Sequence, residues 1–121
     1  MIVDDSVEMR ALVRSLLSGV ASEFVECASG DEGVARYATE RPDWTIMDVV
    51  MQGMDGLTAT RRIKAQFPEA RILVMTQHHN LKLRDSAREA GAASFLEKDQ
   101  LVSLESILTE SGNTTNGGST P

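Results

Sequence analysis

The feature that most constrains this chain is a repeated alternation of short apolar runs with stretches of helical period. "MIV", "EFVECA", "WTIM", "RILVMT" and "SFLEK" are the runs, and a helix signal follows each within a few residues. Strands covered on both faces are apolar throughout, and parallel strands need a long crossover, usually a helix. The pattern predicts an α/β fold, a doubly wound five-stranded parallel sheet with helices on both faces. The right-handed crossover rule leaves few topologies for it.

The helix signals have local causes. Ser6 caps a first helix whose apolar stripe is Val7, Met9, Leu12, Val13, Leu16, Leu17 and Val20, with Gly19 near its end. Ser29-Gly30-Asp31 opens a second helix with Val34, Tyr37 and Ala38 inward, and Pro42 closes it. A third runs from Leu57 to about Phe67, stopped by Pro68, and a fourth from about Leu81 to Ala90, ending at Gly91. Leu101, Leu104, Ile107 and Leu108 mark the last. From Gly112 the chain reads "GNTTNGGSTP", polar and without apolar anchors. The expected organisation is a folded domain over 1–111 and a flexible polar tail or the start of a linker over 112–121.

Composition excludes several function classes. The chain has 121 residues, enough for one core, and carries 18 Asp and Glu against 12 Lys and Arg, a net charge of −6. An acidic chain without a basic stripe does not bind nucleic acid directly by phosphate neutralisation. The single cysteine, Cys27, precludes an internal disulfide and a thiolate zinc cluster, and "FVECA" places it in or near the core. No apolar run approaches the roughly 20 residues of a membrane span, and the N-terminus has no charged-then-apolar signal. The expected location is cytoplasmic, with no membrane association.

In a parallel sheet the carboxyl ends of all strands share one edge, where ligands bind. There the runs place Asp4 and Asp5, then Asp48, Thr76 and Lys98. Singly, each has an ordinary reading as a turn, a cap, a strand residue or a solvated lysine. Together on one rim they form a coherent set. Three carboxylates this close cannot all stay ionised unless a cation offsets their repulsion. Hard oxygen ligands favour magnesium, which binds through one or two carboxylates and commonly bridges to phosphate. A hydroxyl and an ammonium opposite it suit phosphoryl oxygens, and a carboxylate can itself attack phosphorus to give an aspartyl-phosphate.

The segments "VDDS", "IMDVVMQGMDG", "VMTQ" and "GAASFLEK" together resemble the receiver domain of bacterial two-component response regulators. The resemblance covers Met1 to about Ser111. It implies a flavodoxin-like sheet of strand order 2-1-3-4-5, with Asp48 as phosphoacceptor exposed to a phosphodonor. It implies that Asp5 and Asp48 ligate Mg2+ (or Mn2+) directly, that Asp4 acts largely through water, and that the Val50 backbone carbonyl is a further ligand. Thr76 and Lys98 then contact the phosphoryl group. Phe95 matches the family's switch aromatic, which turns inward when the threonine moves. The implied partners are a sensor histidine kinase or phosphotransfer protein, and a second copy or a downstream output protein or domain. The chain is then a self-phosphorylating and self-dephosphorylating switch rather than a turnover enzyme.

The sequence departs from the family at several places. Gln52 stands where proline is usual, Gln77 where a small residue is usual, and Asp99 where proline is frequent. Gln77 is expected to alter the lifetime of the phosphorylated form, by crowding the pocket or by holding the attacking water. "LEKD" resembles receivers attached to nitrate-regulator-like helix-turn-helix output domains. "MIV" is short for the family's first strand, and Gly53 and Gly56 are expected to take conformations other residues avoid. His78 and His79 invite a metal reading, but adjacent loop histidines are commonly polar surface. Two alternatives stand beside the switch. A magnesium-dependent phosphatase wants an acid two residues after its nucleophile, where Val50 stands. A receiver-like docking module would work without phosphorylation.

Overall fold

In the computed structural model, which describes residues 1–77 and 81–117 (side chains to Glu110), every apolar run contributes a strand. The strands are β1 (Ile2–Val3), β2 (Glu26–Cys27), β3 (Thr45–Asp48), β4 (Ile72–Thr76) and β5 (Ser94–Glu97). Between and after them run α1 (Val7–Leu16), α2 (Gly30–Glu40), α3 (Gly56–Gln66), α4 (Leu81–Ala90) and α5 (Leu104–Gly117), the last preceded by a 3-10 turn at Lys98–Ser103. The strands form one parallel sheet of order β2-β1-β3-β4-β5, the doubly wound topology expected.

The two faces of the sheet bury different sets. Val3, Met47, Ile72 and Val74 face Tyr37 of α2, Ala59 and Ile63 of α3 and Ala87 of α4. Ile2, Ile46, Leu73, Met75 and Leu96 face Val13 and Leu17 at α1 and Leu104 and Leu108 of α5. Each such large side chain contributes roughly 1.5–3 kcal/mol of transfer free energy. Caps fix where the helices begin: Ser6 accepts from Met9 N–H at 3.1 Å, Ser29 from Glu32 N–H at 3.1 Å and Asp55 from Thr58 N–H at 2.8 Å.

Some sequence expectations need correction. The stripe of α1 is narrower than its apolar residues suggest, for Val7, Leu12 and Val20 are exposed and only Val13 and Leu17 are fully buried. On α2 Ala38 is exposed, and Gly33 lies against the sheet instead, where a Cβ would come within 3.0 Å of the Val3 side chain. The helix needs close approach there more than it needs another methyl. The backbone of α5 runs helical to Gly117. His78 and His79 lie outside the described residues.

Candidate phosphoryl and metal site

Strand register assembles the acids. Val3 pairs with Met47, so one residue further Asp4 comes level with Asp48 at the carboxyl edge. Asp4 N–H still donates to the Cys27 carbonyl at 3.0 Å, which keeps the chain on the sheet before it turns into α1. Thr76 ends β4 opposite Glu97, the residue before Lys98. Carboxylate oxygens of Asp4, Asp5 and Asp48 all lie within 4.8 Å of one another.

Lys98 Nζ sits 3.1 Å from Asp4 Oδ2 and 3.1 Å from Asp48 Oδ1. The second Asp4 oxygen accepts from Ser6 N–H at 2.9 Å. Asp4 is therefore a buried carboxylate with both oxygens engaged, as burial of a charge requires. Asp48 is 4% exposed, which corrects the expectation of an open acceptor, while Asp5 stays at the surface.

Burial, with the charge of Asp4 added to it, pushes the Asp48 carboxyl up to about 6, although Lys98 opposes the rise. For Lys98 burial works downward, but the charge of Asp48 and the hydrogen bond and charge of Asp4 outweigh it and hold the ammonium above its ordinary value. Among the described residues Lys98 alone is ion-paired to these three carboxylates, which leaves the cluster short of positive charge. Converging hard oxygen donors with unbalanced negative charge fit a magnesium-sized divalent ion.

The turn after Asp48 is shaped around it. Val49 N–H donates to the Met75 carbonyl at 3.0 Å and Gly56 N–H to the Val49 carbonyl at 2.9 Å, so α3 starts directly beneath the acceptor. A Cβ on Gly56 would lie 1.9 Å from the Asp48 carbonyl oxygen. Gly56 is needed for space, not for an unusual φ; Gly53, with φ +78°, alone of the two adopts the left-handed region. Val50 is 57% exposed.

Thr76 is fully buried at its strand end, and Gln77 beside it is exposed. Phe95 lies further from the edge, opposite Val74, half-buried, with the Arg84 guanidinium of α4 5.5 Å from its ring centroid. Sequence reasoning missed Arg10. Its Nη1 donates to the Asp4 carbonyl at 2.6 Å, and its Nε to Glu26 at 3.0 Å. Hydrogen bonds from Arg14 and then Arg10 hold the Glu26 carboxyl below its ordinary range. The available signal was Glu26 itself, an acid in an apolar run with two arginines spaced one helical turn apart on the preceding helix.

Residues 1–109 match the response regulator receiver domain family. The chain belongs to that family. The DNA-binding transcriptional regulator NtrC of Salmonella typhimurium is 33% identical to this receiver over 107 residues, 85% of this chain and 23% of NtrC. The chemotaxis protein CheY of Bacillus subtilis is 34% identical over 99 residues, 81% of this chain and 82% of CheY. The crystal structure of the receiver domain of NtrX from Brucella abortus superposes with a TM-score of 0.78 at 31% identity, covering 90% of this chain and 96% of that one. This receiver thus spans about a quarter of the length of NtrC and most of CheY. It is the phosphorylation-based switch module of two-component signalling. Among the described residues no helix is long and apolar enough to cross a membrane.

Proposed function

We propose that Asp48 accepts the phosphoryl group from a phosphohistidine of a sensor histidine kinase or phosphotransfer protein. The supporting observation is the single ammonium of Lys98 held 3.1 Å from both Asp4 and Asp48, with Asp5 completing the acidic rim. An oxygen of ionised Asp48 attacks phosphorus, the P–N bond breaks, and the imidazole leaves with a proton while an acyl phosphate forms. Asp5, Asp48 and the Val50 carbonyl would hold Mg2+ (or Mn2+) directly, and Asp4 through water, and the ion would neutralise phosphoryl charge. Lys98 exchanges one carboxylate contact for a phosphoryl oxygen, and Thr76 donates its hydroxyl to another. Water then cleaves the acyl phosphate and restores Asp48, so the domain cycles as a switch without turning over a separate substrate.

Movement of Thr76 and rotation of Phe95 would repack the face made by α4, β5 and α5, a population shift between two packings. The reader of that face would be a second copy or a downstream output protein or domain, including helix-turn-helix outputs of the nitrate-regulator kind. The receiver unit would end near Ser111, with 112–121 serving as polar tail or linker. A cytoplasmic location suits these partners. Borohydride reduction converts an acyl phosphate at Asp48 to homoserine, which peptide mass mapping locates. Homoserine at position 48 is the expected result, and its appearance at another acid, or nowhere, overturns the assignment.

A further inference from the structure

Arg10 lies outside the acidic cluster yet grips its backbone. From α1, one turn beyond the Ser6 cap, it places Nη1 2.6 Å from the Asp4 carbonyl oxygen and Nε 3.0 Å from Glu26 Oε1 on β2. Its side chain is 14% exposed. Arg14 reaches the other Glu26 oxygen at 2.9 Å from a 54% exposed position, and serves as a natural control.

A peptide unit is a rigid plane, so fixing its carbonyl fixes the Cα that follows. The Asp4 carboxylate is held independently by Ser6 N–H and Lys98. None of these bonds reaches the Asp5 side chain, which is exposed, so the Asp4–Asp5 peptide is what sets the Cα from which that side chain starts. We propose that Arg10 is a positioning residue for the cation site: it locks that peptide so the Asp5 carboxylate converges with those of Asp4 and Asp48. Glu26 in turn orients the guanidinium. The proposal rests on the reading of Asp5 as a ligand. A lysine at this position keeps the charge but lacks the planar fork that spans a carbonyl and a carboxylate together.

The test is titration of the protein with manganese, with the free ion read by electron paramagnetic resonance. Wild type is compared with Arg10→Met, Arg10→Lys, Arg14→Met and Asp5→Asn, each checked for folding by urea unfolding. Groups that orient metal ligands typically change affinity by about tenfold or more. Arg10→Met is expected to weaken manganese binding about tenfold, Arg10→Lys roughly threefold and Arg14→Met less than about twofold. If Arg10→Met does not fold, Arg10→Lys carries the comparison with Arg14→Met. Arg10 variants that bind as tightly as wild type, or an equal loss in Arg14→Met, overturn the positioning role. Binding that Asp5→Asn leaves untouched overturns instead the ligand reading beneath it.

Discussion

The Lys98 ammonium lies 3.1 Å from Oδ1 of Asp48, and the same nitrogen lies equally close to Asp4. A largely enclosed lysine shared by two buried carboxylates is a counter-ion that the fold needs before any ligand arrives. Lys98→Met should therefore destabilise the metal-free protein at pH 7 by about 3 kcal/mol, the cost of leaving buried charge unpaired. The deficit should shrink near pH 5, where Asp48 gains a proton. Urea unfolding at both pH values reads this, and an equal deficit at both would contradict it.

Asp48 itself is strained electrostatically. Its carboxyl is raised from 3.8 to about 6, so between those values the folded protein binds more protons than the unfolded chain. Stability conferred by the protonated form is complete below about pH 3.8, falls as pH rises and is fully lost above about pH 6. Asp48→Asn removes this term. The variant should gain on wild type through that window, reaching an advantage of about 1–3 kcal/mol at pH 7 without divalent ions. Magnesium should cancel the advantage by binding wild type. An advantage that does not change with pH would show that burial and Asp4 do not hold the carboxyl up.

The two glycines of the turn after Asp48 should respond differently. At Gly53 nothing lies within 4 Å of an added Cβ, so Gly53→Ala carries only the φ penalty, about 1 kcal/mol. At Gly56 the Cβ would overlap the Asp48 carbonyl oxygen at 1.9 Å, and backbone must shift. Gly56→Ala should lose about 3 kcal/mol or more. Denaturant midpoints rank the two, and the reverse order would refute the packing.

Arg41 ends α2 with φ +44°, the one positive φ outside glycine among the described residues. Its guanidinium lies 4.1 Å from the Phe67 ring centroid and 3.4 Å from Glu69, joining the ends of α2 and α3. Arg41→Ala keeps the backbone strain and loses the contacts, about 1 kcal/mol. Arg41→Gly loses the same contacts but relieves the left-handed strain, and should stay within about 0.5 kcal/mol of wild type. Thermal unfolding of the two variants distinguishes them, and equal losses would show the φ carries no cost.

The parallel doubly wound sheet, the helix order and the acidic rim were legible because they follow from periodicity and from where each apolar run stops; the strand order came from the family resemblance. Asp4, Asp5, Asp48 and Lys98 converge because parallel strands share one carboxyl edge, a property of topology rather than of any single contact. Burial around the site was less legible. Asp48 reads as an open strand end, yet Lys98 crosses to it from the turn just after β5, and that side-chain path has no trace in local pattern. Arg10 was half hidden for a related reason: Glu26 signals its ion pair, but its other partner is the Asp4 carbonyl, and backbone acceptors leave no residue-type signal. Gly56 shows the same limit, since close approach to Asp48 and a positive φ both select glycine, and only geometry separates them.

The central claim is that Asp48 takes up a phosphoryl group with the help of a divalent cation. Intact mass after incubation with acetyl phosphate, with magnesium or with chelator, reads it directly, beside Asp48→Asn and a receiver known to be labelled by the same donor. The account predicts one phosphoryl adduct on the wild type, dependent on magnesium and absent from Asp48→Asn. A folded wild type that stays unmodified while the control receiver is labelled, or an Asp48→Asn variant that gains the same adduct, would contradict it.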